Sequence, residues 1–430
     1  MLAIWGLITI VLLFLLVLGK KVSPVIALIL IPVATGILAG FWKELPSLIG
    51  EGLISIAPTG LMFIFAILFF GILLDAGTFD PIIDKLLSFA GNDPLKIVIA
   101  TAILAMLIHL DGSGAVTFLI TIPALSPVYD KMNMSRLTLA SIVALAAGTM
   151  NILPWGGPTL RAATALNIPV TELFNPILVP VLVGLATVLA IAYKFGMQER
   201  KNINFSPDSH STPTHQNEVE RKSLNPILFW FNILTVIIAI GSIIMSFAPP
   251  HIVFMIAFAI TLLVNYPKVT QQRERIDSHA KEAMLMASIL FAAGCFTGIL
   301  KGTGMIEAMA SEIVHLIPSQ VGREIPLITG IFAMPASLLF DPDSFYFGIL
   351  PLLSTTAEHF QASGLEVGRA AILGQMTTGF AVSPLTGSTF LLIGLAGVEL
   401  GEHQKKTIPW AFLITLIMVF VSVLIGAISI

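Results

Sequence analysis

Runs of roughly 17–25 apolar residues recur from one end of this chain to the other, each long enough to cross a hydrocarbon core of about 30 Å. Of its 430 residues 56% are hydrophobic and 11% are charged, against about 25% charged in a soluble domain. A soluble protein of this length needs a polar surface that these residues cannot supply, so the chain reads as an all-α polytopic membrane protein. A net charge of -3 gives no reason to expect nucleic acid. The single cysteine, Cys295, excludes an intramolecular disulfide and offers no metal-ligand spacing. Met1 to Leu18 is apolar and short like a signal peptide. It lacks a basic leading region and a small-residue cleavage site, so it is expected to be a retained first helix.

Spanning helices are expected near 2–18, 22–41, 53–74, 135–150 with 159–166, 172–194, 226–247, 250–266, 282–300, 366–381 with 390–397, and 408–428. Two further apolar stretches, 96–129 and 325–358, are interrupted at mid-length by Asp111-Gly112-Ser113-Gly114 and Asp341-Pro342-Asp343. A charge at the middle of a lipid-facing span costs at least about 2.5 kcal/mol. Gly and Pro there also free backbone groups that lipid cannot bond. A re-entrant hairpin, dipping in and returning to its own side with its tip buried in protein, resolves both problems; two ordinary spans joined by a polar loop is the alternative. The basic residues favour hairpins. With the amino terminus outside, Lys20, Lys21, Lys85, Lys96, Lys131, Arg136, Lys194, Arg200, Lys201, Arg221, Lys222, Lys268, Arg273, Arg275, Lys281, Lys405 and Lys406 collect on one side. Lys43, Lys301, Arg323 and Arg369 fall on the other. That bias marks the first side as cytoplasmic and both termini as outside. It survives only if both broken stretches return to their own side. The polar stretch 197–224 reads as a cytoplasmic linker in which His210 and His215 are solvated.

The halves resemble each other at a spacing of about 230 residues. Gly71-Ile72-Leu73 matches Gly298-Ile299-Leu300, Gly77 matches Gly304, Asp111 matches Asp341, and Gly148 matches Gly379 within a residue. Pro154-Trp155-Gly156-Gly157-Pro158-Thr159 matches Pro384-Leu385-Thr386-Gly387-Ser388-Thr389. The topology gives the matching helices opposite directions, so inverted repeats are expected, with a binding site where interrupted helices meet. The units are then scaffold helices in 1–52, a first repeat in 53–196 (hairpin 96–129, unwound helix 135–166), the linker, scaffold helices in 225–266, and a second repeat in 267–430 (hairpin 325–358, unwound helix 366–397). The acidic run Asp75, Asp80, Asp84 and its counterpart at Gly304 to His315, with Glu307 and Glu312, read as lateral amphipathic arms.

Four interruptions should therefore converge. Broken helices expose N–H groups that attract anions and carbonyls that attract cations. In the first unwound stretch Pro154 and Pro158 stop the helix, and Gly156 and Gly157 let a ligand approach the backbone. Thr149, Asn151 and Thr159 add polar groups there, and Arg161 follows about one turn into the next half-helix. Arg161 is the one basic residue with no place at a membrane edge. Its fork suits a substrate carboxylate; an ion pair with Asp111 or Asp341, or snorkelling toward the outer face, is the alternative. The second stretch offers Ser383, Thr386, Ser388 and Thr389, either as ligand groups or as small residues for packing. Asp111, Asp341 and Asp343, flanked by Ser113 and Ser344, are candidates for a divalent cation or a proton. Capping of the hairpin tips is the competing role. His109 is a candidate proton carrier or a buried neutral imidazole. No phosphate-binding loop, zinc signature, nucleophile elbow or haem-ligand cluster is present, so neither ATP-driven transport nor an enzyme is expected.

The segments Asp75-Ala76-Gly77-Thr78-Phe79-Asp80-Pro81, Leu110-Asp111-Gly112-Ser113-Gly114, Met150-Asn151-Ile152-Leu153-Pro154-Trp155-Gly156-Gly157-Pro158-Thr159, Pro342-Asp343-Ser344-Phe345-Tyr346 and Ser383-Pro384-Leu385 resemble the citrate–metal–proton symporter family of the ion-transporter superfamily. Leu395-Ala396-Gly397-Val398 and His403-Gln404 add to the resemblance, which covers nearly the whole chain outside the linker. It implies an elevator-type transporter in the cell membrane, a homodimer, with no resident cofactor. The implied substrate is citrate complexed with a divalent cation, Mg²⁺ or Ca²⁺, taken up with protons. Ser113 stands where some members carry a second acid, which leaves cation preference and proton number open. A proton-coupled permease for another hydroxy-carboxylate such as gluconate is the nearest alternative; a channel or membrane-embedded enzyme is the alternative of another class.

Overall fold

A computed structural model describes residues 1–19, 21–202 and 225–429. Lys20 and most of the linker, with His210 and His215, lie outside the described residues. Among the described residues every regular element is helical. Six helices are long and apolar enough to cross a membrane. Outer helices such as Pro226–Ile244 and Pro250–Asn265 present Trp230, Ile237 and Leu263 at 61–68% exposure. That suits a hydrocarbon surround and no aqueous one. The helix Arg136–Met150, by contrast, buries every residue from Thr138 to Met150. The unwound helix at 135–166 thus lies inside, while Pro226–Ile244 and Pro250–Asn265 lie at the periphery.

Helix bounds depart from expectation where the sequence carries no stop signal. The helix expected at 53–74 begins earlier, at Leu45, with Pro46 tolerated in its first turn. Its counterpart, expected at 282–300, is Val269–Gly302, because a charged run can continue a helix beyond the apolar core. The two run antiparallel. Leu48 lies against Gly302, Gly71 against His279, and Asp75 pairs with Arg275 at 3.2 Å. At their crossing a Cβ on Gly52 would stand 2.1 Å from the Gly294 carbonyl oxygen, so only glycine permits this approach. The helix Leu178–Asn202 carries on into the start of the expected linker. The acidic arm forms the helix Asp80–Ala90, and its counterpart is Met305–Val314.

Each broken stretch doubles back. The first comprises Pro94–Ile108, a tight turn at His109–Asp111, and Gly114–Lys131. Asp93, just before it, pairs with Arg200 (3.1 Å from Nε). Ser135, just after it, donates its N–H to the neighbouring Glu199 at 3.2 Å. Both ends of the stretch thus meet one end of the helix Leu178–Asn202. The second comprises Ile325–Ala336, the turn at Asp341–Asp343, a wide turn Ser344–Ile349 and Leu350–His359. Gly322, before it, packs on the ring of Phe360, after it. That pair lies toward the opposite end of the molecule, where Arg369 donates to the carbonyls of Glu172 and Ala427.

Matching positions of the two halves adopt matching conformations. Gly77 and Gly304 both have positive φ, 72° and 73°. Asn167 and Gly397 both end half-helices in the left-handed region, at φ 57° and 67°. In the second half the helix expected at 366–381 is shorter. It runs Gly364–Ile372, and the chain is irregular from there to Gly387 apart from one tight turn at Phe380–Val382. Met376 takes a positive φ of 52° inside that stretch.

Candidate functional site

All four interruptions meet around one cavity of about 770 Å³. The first tip contributes Gly112 to Ala115, and the first unwound stretch Asn151, Gly157, Pro158 and Arg161. From the second half come Asp341, Pro342 and Asp343 at the tip, then Met376, Phe380 and Pro384 to Ser388. Three helices begin at its wall: Gly114–Lys131, Gly157–Leu166 and Gly387–Ala396. Each start carries unbonded N–H groups and about half a positive charge. The cavity is therefore electropositive from backbone alone.

At each tip an aspartate folds back onto the backbone of its own turn. The Asp111 carboxylate oxygen Oδ1 accepts the N–H of Ser113 at 2.8 Å, and Ser113 in turn caps the next helix through Val116. Asp341 Oδ1 accepts the N–H groups of Asp343 (3.1 Å) and Ser344 (3.0 Å). Capping is thus a real duty of both residues. Asp341 lines the cavity and Asp111 does not. The partner of Arg161 is neither of them. Its Nε donates to Asp343 Oδ1 at 2.8 Å, with both side chains more than nine-tenths buried. The physical reason is register: Asp341 is turned back into its own tip, and Asp343, two residues on, faces across the cavity.

The unwound stretches are bound to one another. Asn151 Nδ2 donates to the Met376 carbonyl at 2.9 Å. A Cβ on Gly148 would lie 2.5 Å from the Thr377 carbonyl oxygen, so the two breaks cross in backbone contact. His109 is fully buried between Thr117 (2.8 Å from Nδ1) and Asn151 (3.4 Å from Nε2) and stays behind the wall. Trp155 Nε1 holds the Leu110 carbonyl at 2.8 Å, tying the first tip to the first break.

Of the residues singled out in the sequence, Asn151, Gly157, Arg161, Thr386, Ser388, Ser113, Asp341 and Asp343 line the cavity. The others serve the fold around it. Thr149 and Thr159 donate to the carbonyls of Leu145 and Ile152. Ser383 donates to the Ser337 carbonyl at 2.5 Å, and Thr389 to the Phe380 carbonyl at 3.3 Å. Gly156 makes room for backbone: a Cβ there would be 2.2 Å from the Asn151 carbonyl oxygen. Ser344 is buried beside the Asp341 turn. Other contributors were not among the expected site residues. Ser337 accepts the Met376 N–H (2.8 Å) and donates toward Gln375 (3.1 Å). His403 and Gln404 each hold a carbonyl of the second break, Ala381 and Val382, at 2.9 Å. Lys21, from the segment joining the first two helices, stands on the cavity wall.

The cavity pairs one buried guanidinium and three helix starts with two adjacent carboxylates. It can hold an anion and a cation side by side. Known proteins agree with a carrier. The citrate transporter family model matches residues 11–374. Over the full length of both chains the protein is 44% identical to a citrate transporter of Bacillus subtilis (strain 168). It is 40% identical, again over both full lengths, to the Mg(2+)/citrate complex secondary transporter of the same organism. Its fold is similar to that of the YdaH transporter of Alcanivorax borkumensis, with a TM-score of 0.60 at 13% identity over 90% of this chain and 89% of that one. The Neisseria gonorrhoeae MtrF structure is similar too, with a TM-score of 0.58 at 12% identity over 90% and 85%. A cavity built at four helix breaks, in a multi-pass membrane chain of this ancestry, is a transporter's and not an enzyme's: the protein belongs to the citrate transporter family.

Proposed function

We propose that this chain is a secondary active symporter that takes up citrate complexed with a divalent cation, Mg²⁺ or Ca²⁺, together with protons. The observation that carries the reading is the cavity itself, in which Arg161 and three helix starts face Asp341 and Asp343. Free citrate, about trivalent at neutral pH, would bring more negative charge than Arg161 and Lys21 together offset, and an uncompensated buried charge is strongly unfavourable. A complex with one divalent cation is a monovalent anion, which that arginine and the helix starts suit. Hard cations take six or more oxygen ligands. Asp341 and Asp343 supply carboxylates, and citrate and water supply the rest. The name of the relative at 40% identity points to the same substrate form.

The two doubled-back stretches are re-entrant hairpins in this reading, and the halves are inverted repeats, as the antiparallel pairing of Leu45–Asp75 with Val269–Gly302 supports. The helices in 1–52 and 225–266 form a scaffold, and the broken helices of 53–196 and 267–430 carry the site past it in an elevator motion. A homodimer would hold the scaffold still. The basic residues put the linker in the cytoplasm and both termini outside.

The test is uptake of labelled citrate by proteoliposomes with Mg²⁺, with Ca²⁺ and with a chelator, across pH. Saturable uptake that needs the metal and alkalinises the medium is expected. Uptake indifferent to the chelator sinks the complexed substrate. Transport of gluconate in preference to citrate would favour a hydroxy-carboxylate permease, and lack of saturation a channel.

A further inference from the structure

Arg161 and Asp343 come from opposite halves of the chain and meet across the substrate cavity. Arg161 uses Nε alone in this pair, and its remaining N–H groups have no protein partner among the described residues. Two residues from Asp343, Asp341 commits Oδ1 to the tip, and its Oδ2 is buried and receives no hydrogen bond. The guanidinium therefore already has an anion seated on it, with a second carboxylate beside it.

An incoming carboxylate that takes the arginine fork must share it with Asp343 or displace Asp343. Either way three carboxylates crowd one buried cation. Adjacent buried carboxylates repel one another unless a shared cation bridges them. The reverse also holds, because a cation drawn to Asp343 alone is repelled by Arg161 until an anion neutralises it. We propose that the Arg161–Asp343 ion pair is the coupling device of this carrier. Asp343 occupies the anion's seat on Arg161, and it leaves only when a divalent cation accompanies the substrate. Arg161 and Asp343 then part to opposite components of the complex: guanidinium to citrate, carboxylate to metal.

This rests on the metal–citrate reading above and is tested by equilibrium binding of citrate to the purified full chain, with Mg²⁺ and with EDTA. Coupling between two ligands spans about 5–150-fold, and the wild-type protein should bind metal-free citrate weaker by a factor in that range. Asp343→Asn removes the competing anion, so metal-free citrate should bind tighter than to wild type, and the ratio should collapse to within about threefold. Asp343→Ser, which copies Ser113 at the matching position of the first half, should do the same and guards against a folding defect of one variant. A merely structural role would weaken binding with and without metal alike. Two monodisperse variants that keep the wild-type ratio, or that lose binding in both conditions, overturn the proposal. A wild-type chain that binds no citrate in either condition overturns the substrate assignment on which it rests.

Discussion

At the residue scale, the clearest case is Arg161, buried with a single carboxylate partner and donors to spare. Arg161→Ala should reduce citrate uptake at least about 100-fold, since losing a charge-assisted contact in a buried site costs about 3 kcal/mol or more. Membrane abundance should persist; wild-type uptake in that variant would end the clamp role. Arg161→Lys should recover little, because an ammonium cannot serve Asp343 and a substrate with one planar fork. Gly156 makes a different point. Its sequence context suggests room for a ligand, yet its missing side chain accommodates the Asn151 carbonyl, 2.2 Å from where a Cβ would be. Gly156→Ala should lower thermal stability by roughly 1–3 kcal/mol, as overpacking does, and deform the first break. An unaltered unfolding temperature would show that the backbone gives way freely. The Asp343–Arg161 pairing was out of reach of sequence reasoning, which read Arg161 as a substrate clamp and offered Asp111 or Asp341 only as alternative partners. The two residues are 182 apart in the chain, and which of two nearby aspartates crosses the cavity depends on the turn geometry of the tip. Ser337, whose hydroxyl organises the second break, sits in an ordinary apolar run with nothing to mark it.

At the element scale, the broken stretches were legible because charge and glycine in the middle of an apolar run have few physical solutions. The helix bounds were less so. Val269–Gly302 begins about three and a half turns before the apolar run expected at 282–300, since charged residues are good helix formers and lipid sets no stop in water. The doubling back makes a topological prediction. Single cysteines introduced at Asn92 and Asn133, in a background where Cys295 is replaced, flank the first stretch and should react with an impermeant maleimide from the same membrane side. Reaction from opposite sides would make the stretch a plain crossing and undo the charge-bias argument for the whole topology. The pair of carbonyl clamps on the second break is open to the same logic. Gln404→Leu leaves the Val382 carbonyl without its donor at a cost of about 1–3 kcal/mol, so a higher KM with unchanged abundance is expected, and an unchanged KM would show that the break keeps its shape unaided.

At the scale of the whole molecule, the reading is energetic. A monovalent metal–citrate anion entering with more than one proton carries net positive charge inward. Each such charge gains about 2.3 kcal/mol per 100 mV of inside-negative potential. A potassium-diffusion potential, negative inside, imposed on proteoliposomes should therefore accelerate uptake; no response would limit the symport to one proton per complex.

Apolar periodicity, the two polar breaks, the internal repeat and the one basic residue without a membrane edge were all determined by sequence, because lipid tolerates so few ways of placing polarity that each violation announces itself. Tertiary structure decided which side chains face the cavity, which only cap and clamp it, and which carboxylate meets Arg161. Those outcomes turn on ångström-scale packing between halves that are far apart in the chain, and no local pattern of residue types encodes a distance across a cavity.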